Sequence, residues 1–170
     1  EFLECLQYED ELDKSNENDL IVPTDYTGPV LNQDTQIDLP WIESTLEYLR
    51  REKRMHKRYL WVLLKRARAV LDKEPNVVSV TVDGKNVQEI VVCGDIHGQY
   101  YDFLNIFKTN GLPSAERPYL FNGDFVDRGS FSVECMIALL SFKLWKPNCI
   151  YLNRGNHENP DLNKMYGFEG

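Results

Sequence analysis

Apolar residues recur along this chain with two different periods. Trp41, Leu46, Leu49, Tyr59, Val62, Leu63, Val70 and Leu71 fall at helical spacing. Pro40 suits a first helical turn, and Asp38 stands where a cap is needed. The pattern predicts a helix, or two helices broken near Lys53, ending before Pro75. Residues 77–82 alternate and are β-branched, and Asp83-Gly84 is a hairpin signal, so a return strand over 87–93 is predicted. Beyond it strands and helices alternate. Ile90-Val91-Val92-Cys93, Tyr119-Leu120-Phe121 and Cys149-Ile150-Tyr151-Leu152 read as short buried strands. Residues 101–110 read as a helix closed by Gly111, and 133–145 as one closed before Pro147. The rhythm predicts an α/β (or α+β) fold.

The first 38 residues have no such period. A short apolar-acidic stretch (Phe2, Leu3, Leu6) is followed by a polar run through Asp19. Pro23, Gly28, Pro29 and the cluster 32–36 then punctuate an irregular connector. We read 1–38 as an acidic linker wrapping a folded core, and 39–170 as the domain. Charge is distributed to match. Residues 1–40 carry eleven acids against Lys14, while 50–73 carry ten Lys and Arg residues, in a chain of formal net charge −8. The basic stripe reads as a solvated helix face beside the acidic segment rather than as a nucleic-acid contact.

The 170 residues suffice for one ordinary domain with a core. The four cysteines (Cys5, Cys93, Cys135, Cys149) have no metal-ligand spacing, and three lie in apolar runs, so buried free thiols in a reducing compartment are expected. No apolar run has the length of a membrane span and no signal peptide is visible. A cytosolic or nuclear soluble protein is expected. The start at Glu1 without a methionine reads as a fragment or a processed piece.

Three phrases carry the chemistry: Gly94-Asp95-Ile96-His97-Gly98, then 123–129 (Gly-Asp-Phe-Val-Asp-Arg-Gly), then Gly155-Asn156-His157-Glu158. Each follows a predicted strand, at intervals of roughly 30 residues. Ligands are therefore delivered at strand carboxyl ends, where open α/β sheets place their sites. Asp95, His97, Asp124 and Asn156 offer carboxylate, imidazole and amide oxygen, a set suited to a borderline divalent metal such as Mn, Fe or Zn. A carboxylate can bridge two ions, and two ions form the usual clamp for phosphate ester hydrolysis. Arg128 has the planar fork that grips phosphate oxygens. His157 is placed to protonate a leaving oxygen, and Asp127 to fix the imidazole tautomer.

These phrases, with Gln99 after the first and Arg154 before the third, resemble the signature of the PPP-type serine/threonine protein phosphatases. The segments 22–29, 105–113, 130–134 and 166–170 resemble the type 5 branch of that family, and the likeness is strongest from Ile90 onward. The resemblance implies a metallophosphoesterase β-sandwich with helices on its outer faces. It implies that Asp95, His97 and Asp124 hold a first metal and that Asp124 bridges to a second bound by Asn156. It implies substrate binding by Arg128, and proton donation by His157 paired to Asp127, with a hydroxide activated by two metals as nucleophile. An upstream TPR domain and Hsp90-type chaperones are the implied partners, although no 34-residue repeat is visible here.

Asn153 departs from the leucine more usual in that family. The family also supplies two further metal-binding histidines, a second phosphate-binding arginine and a tyrosine beyond the third phrase. This chain holds only His56, His97 and His157, so its second metal site is incomplete. The expectation is the N-terminal half of a phosphoserine/phosphothreonine phosphatase domain, truncated and doubtful as a catalyst alone. Two alternatives share the phrases: a metallophosphoesterase acting on dinucleoside polyphosphates or nucleic acid, and a non-catalytic fragment. Neither membrane nor nucleic acid is an expected partner.

Overall fold

A computed structural model describes residues 20–168. The expected helix end near Phe2, Leu3 and Leu6, and the thiol of Cys5, lie outside the described residues. Helix α1 (Leu39–Arg50) starts as its sequence requires, with Asp38 Oδ1 accepting the Trp41 N–H at 2.9 Å and Pro40 in the first turn. It buries Ile42, Leu46 and Leu49. The chain leaves it through Glu52, at φ 57, and α2 (Lys57–Leu71) follows. The break thus falls on 51–56, around Lys53. Its first turn is capped by His56, whose Nδ1 accepts the Arg58 N–H at 3.3 Å.

The described part of the connector, residues 20–38, packs against the two helices. Leu31 is fully buried and Ile37 nearly so. Tyr26 inserts among Tyr48, His56 and Tyr59, and Trp41 Nε1–H donates to the Val30 carbonyl at 3.0 Å. The basic stripe has a share in this, since Arg66 donates to the carbonyls of Asn32 and Thr35.

Strands β1 (Val91–Cys93), β2 (Tyr119–Phe121) and β3 (Ile150–Leu152) form one parallel sheet in the order β1-β2-β3, with Cys93 opposite Phe121 and Phe121 opposite Leu152. The crossovers are α3 (Tyr100–Asn110) and α4 (Ser132–Trp145). Two right-handed crossovers that step the same way across a sheet must lie on the same face. That face carries the core: the rings of Phe103, Phe107, Phe121 and Phe142 meet at centroid distances of 4.7–5.8 Å, and each ring buried contributes on the order of 2 kcal/mol. Helix α4 is packed against α1, α2, α3 and β3, which explains why its sequence is apolar nearly all round. Its Lys143 is fully buried, paired with Glu74 and donating to the carbonyls of Pro147 (2.9 Å) and Ile150 (3.0 Å). The last helix is α5 (Pro160–Tyr166).

The α/β expectation is met, and of the expected sandwich the described residues hold this one sheet. The hairpin over 77–93 is a correction. Asp83 Oδ1 does gather the N–H groups of Lys85, Asn86 and Val87 into a turn, but residues 77–82 form no strand. The N–H groups of Gln88 and Val91 go to the carbonyls of Glu116 and Pro118, and β1, first in the sheet order, has no partner strand on its other side among the described residues. Val77, Val82 and Val92 remain 81%, 52% and 68% exposed. The uncovered sheet face holds a cleft of about 380 Å³ lined by Val78, Val80, Ile90, Leu120 and Tyr151.

Cys93, Cys135 and Cys149 are buried and free. Burial raises all three thiols, Cys135 to about 12 and Cys149 to about 11. In a Cys5→Ser variant at mildly alkaline pH, an aromatic disulfide reagent should titrate these thiols only after guanidinium unfolding. Fast reaction of all three in the native state would contradict this packing.

Candidate metal and phosphate site

Because the sheet is parallel and in register, its three carboxyl ends open on one edge. The Cys93 carbonyl accepts from Asn122 and the Phe121 carbonyl from Asn153, so the strands stop together and three loops leave side by side. The first two loops are then stitched to each other. Ile96 and His97 N–H both donate to the Asp124 carbonyl, Gly98 N–H to that of Phe125, and Gly129 N–H to that of His97. Ile96, Phe125 and Val126 are buried beneath and anchor the loops to the core.

This brings one donor atom each from Asp95, His97 and Asp124 within 4.8 Å of one another. The tautomer of His97 suits a ligand. Its Nδ1 lies 2.8 Å from the Val126 carbonyl, which can only accept, so Nδ1 carries the proton and Nε2 presents a lone pair. Asp95 is exposed and His97 buried, an arrangement in which a bound ion would face solvent on one side only. These residues fit a divalent ion. Asn156 is exposed in the third loop, beside His157, whose N–H donates to Asp124 Oδ1 at 2.8 Å.

The proton-handling pair is also assembled. His157 is 3% exposed and its Nδ1–H donates to Asp127 Oδ2 at 2.9 Å. Arg128 Nη2 donates to His157 Nε2 at 3.2 Å, which makes that nitrogen an acceptor and the ring neutral in this arrangement. Burial would raise the Asp127 carboxyl, but donors from His157, Asn163 and the Phe168 amide outweigh it and hold the group below its ordinary range. The rings of His97 and Tyr166 flank His157 at 4.7 and 5.1 Å, and Arg128 lies 5.7 Å from the Tyr166 ring centre.

The backbone is strained where function gathers. Among the described residues, five non-glycine positions have positive φ, and four of them are His97, Asp124, Asp127 and Arg128. Gly123, at φ 95, faces the Gly155 backbone so closely that no Cβ fits.

All seven residues singled out in the sequence come to this one edge. Glu158 was quoted only as part of its phrase, and its task was missed. Its carboxylate accepts three backbone N–H groups: Asp124 (2.8 Å) and Gly155 (2.8 Å) on Oε2, and Phe125 (2.7 Å) on Oε1. It therefore clamps the second loop to the third. Asn163, on α5, was missed too, and Tyr166 entered only as part of the segment 166–170. Asn153 proves peripheral, bonded to Asn122 on the exposed rim.

Glu158→Gln puts a donor where an acceptor is needed and should cost about 1–3 kcal/mol in urea unfolding, with weaker Mn²⁺ binding by calorimetry. Unchanged stability and metal affinity would deny Glu158 the clamp. Gly123→Ala should cost a similar amount, about 1–3 kcal/mol, and loosen the site; a variant as stable as the parent would show that the two loops can part without loss.

Two family models match the chain, one on each side of residues 80–88. The calcineurin-like phosphoesterase family model matches residues 89–170, and the model described as the PPP5 TPR repeat region matches residues 2–79. Serine/threonine-protein phosphatase 5 of Arabidopsis thaliana is 49% identical over 88% of this chain and 27% of its own length. The Homo sapiens protein of that name is 44% identical over 89% of this chain and 30% of its own. Serine/threonine-protein phosphatase T of Schizosaccharomyces pombe is 43% identical over 91% and 32%. A solved Saccharomyces cerevisiae protein serine/threonine phosphatase, described as similar to human phosphatase PP5, aligns at a TM-score of 0.68 and 42% identity, covering 71% of this chain and 38% of that one. The chain spans about three-tenths of the length of the curated relatives it matches. Residues 89–170 thus match the calcineurin-like phosphoesterase family model, and the chain is similar to part of serine/threonine-protein phosphatase 5.

Proposed function

We propose that this chain serves the hydrolysis of phosphoserine and phosphothreonine esters in proteins. One observation carries the reading: a metal-competent cluster (Asp95, His97, Asp124) and a buried imidazole–carboxylate pair (His157, Asp127) share one sheet edge with the exposed Arg128, which reaches His157 Nε2. The serine/threonine phosphatases to which it is similar support the substrate class.

Asp95, His97 and Asp124 are the ligands proposed for a first divalent ion, and Asp124 with Asn156 for a second. The donor set favours Mn, Fe or Zn. Such ions, when bound, acidify a water and offset charge on the phosphoryl oxygens. The rest is done by side chains. Arg128 leaves His157 Nε2 and grips two phosphate oxygens, orienting the ester. His157, once charged, donates the Nε2 proton to the departing serine or threonine oxygen. Asp127 keeps the Nδ1–H in place throughout and stabilises the imidazolium.

The TPR-region match over residues 2–79 supports a regulatory TPR element, and an Hsp90-type chaperone is the partner we propose for it. The three buried free thiols support a reducing compartment, cytosolic or nuclear.

The test is hydrolysis of a phosphothreonine peptide by the purified chain with and without Mn²⁺, beside Asp124→Asn and a dinucleoside polyphosphate. Among the described residues only Asp124 and Asn156 are offered to a second ion, so the expected turnover is slow. It should be strictly metal-dependent, absent in Asp124→Asn, and confined to the peptide. Preference for the dinucleotide, or activity untouched by the substitution, would overturn the reading.

A further inference from the structure

One amide nitrogen holds His157 at both of its ends. Asn163 Nδ2 lies 2.8 Å from the His157 carbonyl oxygen and 3.1 Å from Asp127 Oδ2. That same Oδ2 accepts the His157 Nδ1–H at 2.9 Å. The three residues close a ring in which the imidazole is tied through its carboxylate, and its own main chain through Asn163, to a single NH₂ group. Both partners of Nδ2 are acceptors only, so the atom facing them must be the nitrogen and not the amide oxygen.

We infer that Asn163 is a positioning residue for His157, fixing the direction of its Nε2 toward the leaving oxygen; this rests on the general-acid reading above. Two protons on one short side chain are needed to reach both acceptors at once. Serine has one, aspartate has none, and glutamine is a methylene too long. The second carboxylate oxygen of Asp127 is taken by the Phe168 N–H at 3.1 Å, so Asp127 cannot turn to compensate while that bond stands. Release of Nδ2 would leave Asp127 Oδ2 with His157 alone and leave the His157 carbonyl without this donor. The ring would keep its Nδ1 partner and lose its fixed angle. Helix α5 is the natural carrier, because it delivers Asn163 and, one turn on, Tyr166, whose ring lies 5.1 Å from the imidazole. Two side chains of one short helix thus set the orientation of the proton donor.

The test uses the full chain and two variants, Asn163→Asp, close in shape without the donors, and Asn163→Leu, without polarity; melting curves confirm folding. The first readout is the nitrogen–proton correlation spectrum of the His157 imidazole in the metal-free chain near neutral pH. A slowly exchanging Nδ1–H should be present in the parent, and its exchange should accelerate about tenfold or more in both variants. The second readout is the ratio of kcat on a phosphothreonine peptide to kcat on p-nitrophenyl phosphate. Nitrophenolate departs without a proton, so a misdirected acid should lower the peptide rate about 10–100-fold and the aryl rate by no more than about threefold. Equal losses on both esters, or an unchanged imidazole signal in a folded variant, would overturn the inference, as would a folded parent lacking the Nδ1–H signal. Turnover of neither ester by the parent would count against the phosphatase reading, while the imidazole spectrum would still decide the role of Asn163.

Discussion

The Glu158 carboxylate takes three backbone N–H groups from two closely apposed loops, and the geometry of the site hangs on that clamp. Without an acceptor there, the amides of Asp124, Phe125 and Gly155 would be half-buried and unpaired, at a cost of about 1–3 kcal/mol for each such group. With it, the second and third loops become one rigid body. The first loop joins that body through the Asp124 and Phe125 carbonyls. The Glu158 clamp and the backbone pairing of the first two loops together fix the relative positions of Asp95, His97, Asp124 and His157. Their side chains need only small rotations to reach a ligand, which is the preorganisation that electrostatic catalysis depends on.

Rigidity of this kind explains how the site tolerates strain. His97, Asp124, Asp127 and Arg128 all hold left-handed backbone that side-chain-bearing residues disfavour. Each such conformation costs on the order of 1–3 kcal/mol, and it persists because the loops are over-determined by hydrogen bonds and by Ile96, Phe125 and Val126 packed beneath. Tight turns at successive residues aim Asp127 inward at His157 and leave Arg128 exposed at the rim. The carboxylate is buried where it must be dry, and the guanidinium stands where an anionic substrate arrives. The aromatic core under the sheet serves the same end, since it fixes the strand ends from which the loops spring.

Much of this was legible in the chain itself. Short apolar runs, each followed by a glycine-framed polar phrase, gave the strands to within a residue: β2 as expected, β1 from Val91 and β3 from Ile150. The helices ended where Gly111 and Pro147 required. Three phrases at even spacing carried the ligands, and their chemistry named the candidate roles of Asp95, His97, Asp124, Asp127, Arg128, Asn156 and His157. Local signals sufficed because each of these features is a property of neighbouring residues. The hairpin at Asp83-Gly84 shows the limit. Its turn formed as its residues dictated, but residues 77–82 form no strand, and the partner of β1 is β2, from farther along the chain.

Sequence alone thus determined most of the elements that form and which chemistry the chain can offer. The tertiary structure decided how those groups are held. That Glu158 is a clamp, that Lys143 lies buried against Glu74, and that one Asn163 nitrogen grips both Asp127 and His157 are facts about residues brought together by the fold. Nothing in local periodicity encodes them, because a hydrogen bond has a range of about 3 Å, and only packing decides which distant groups come within it.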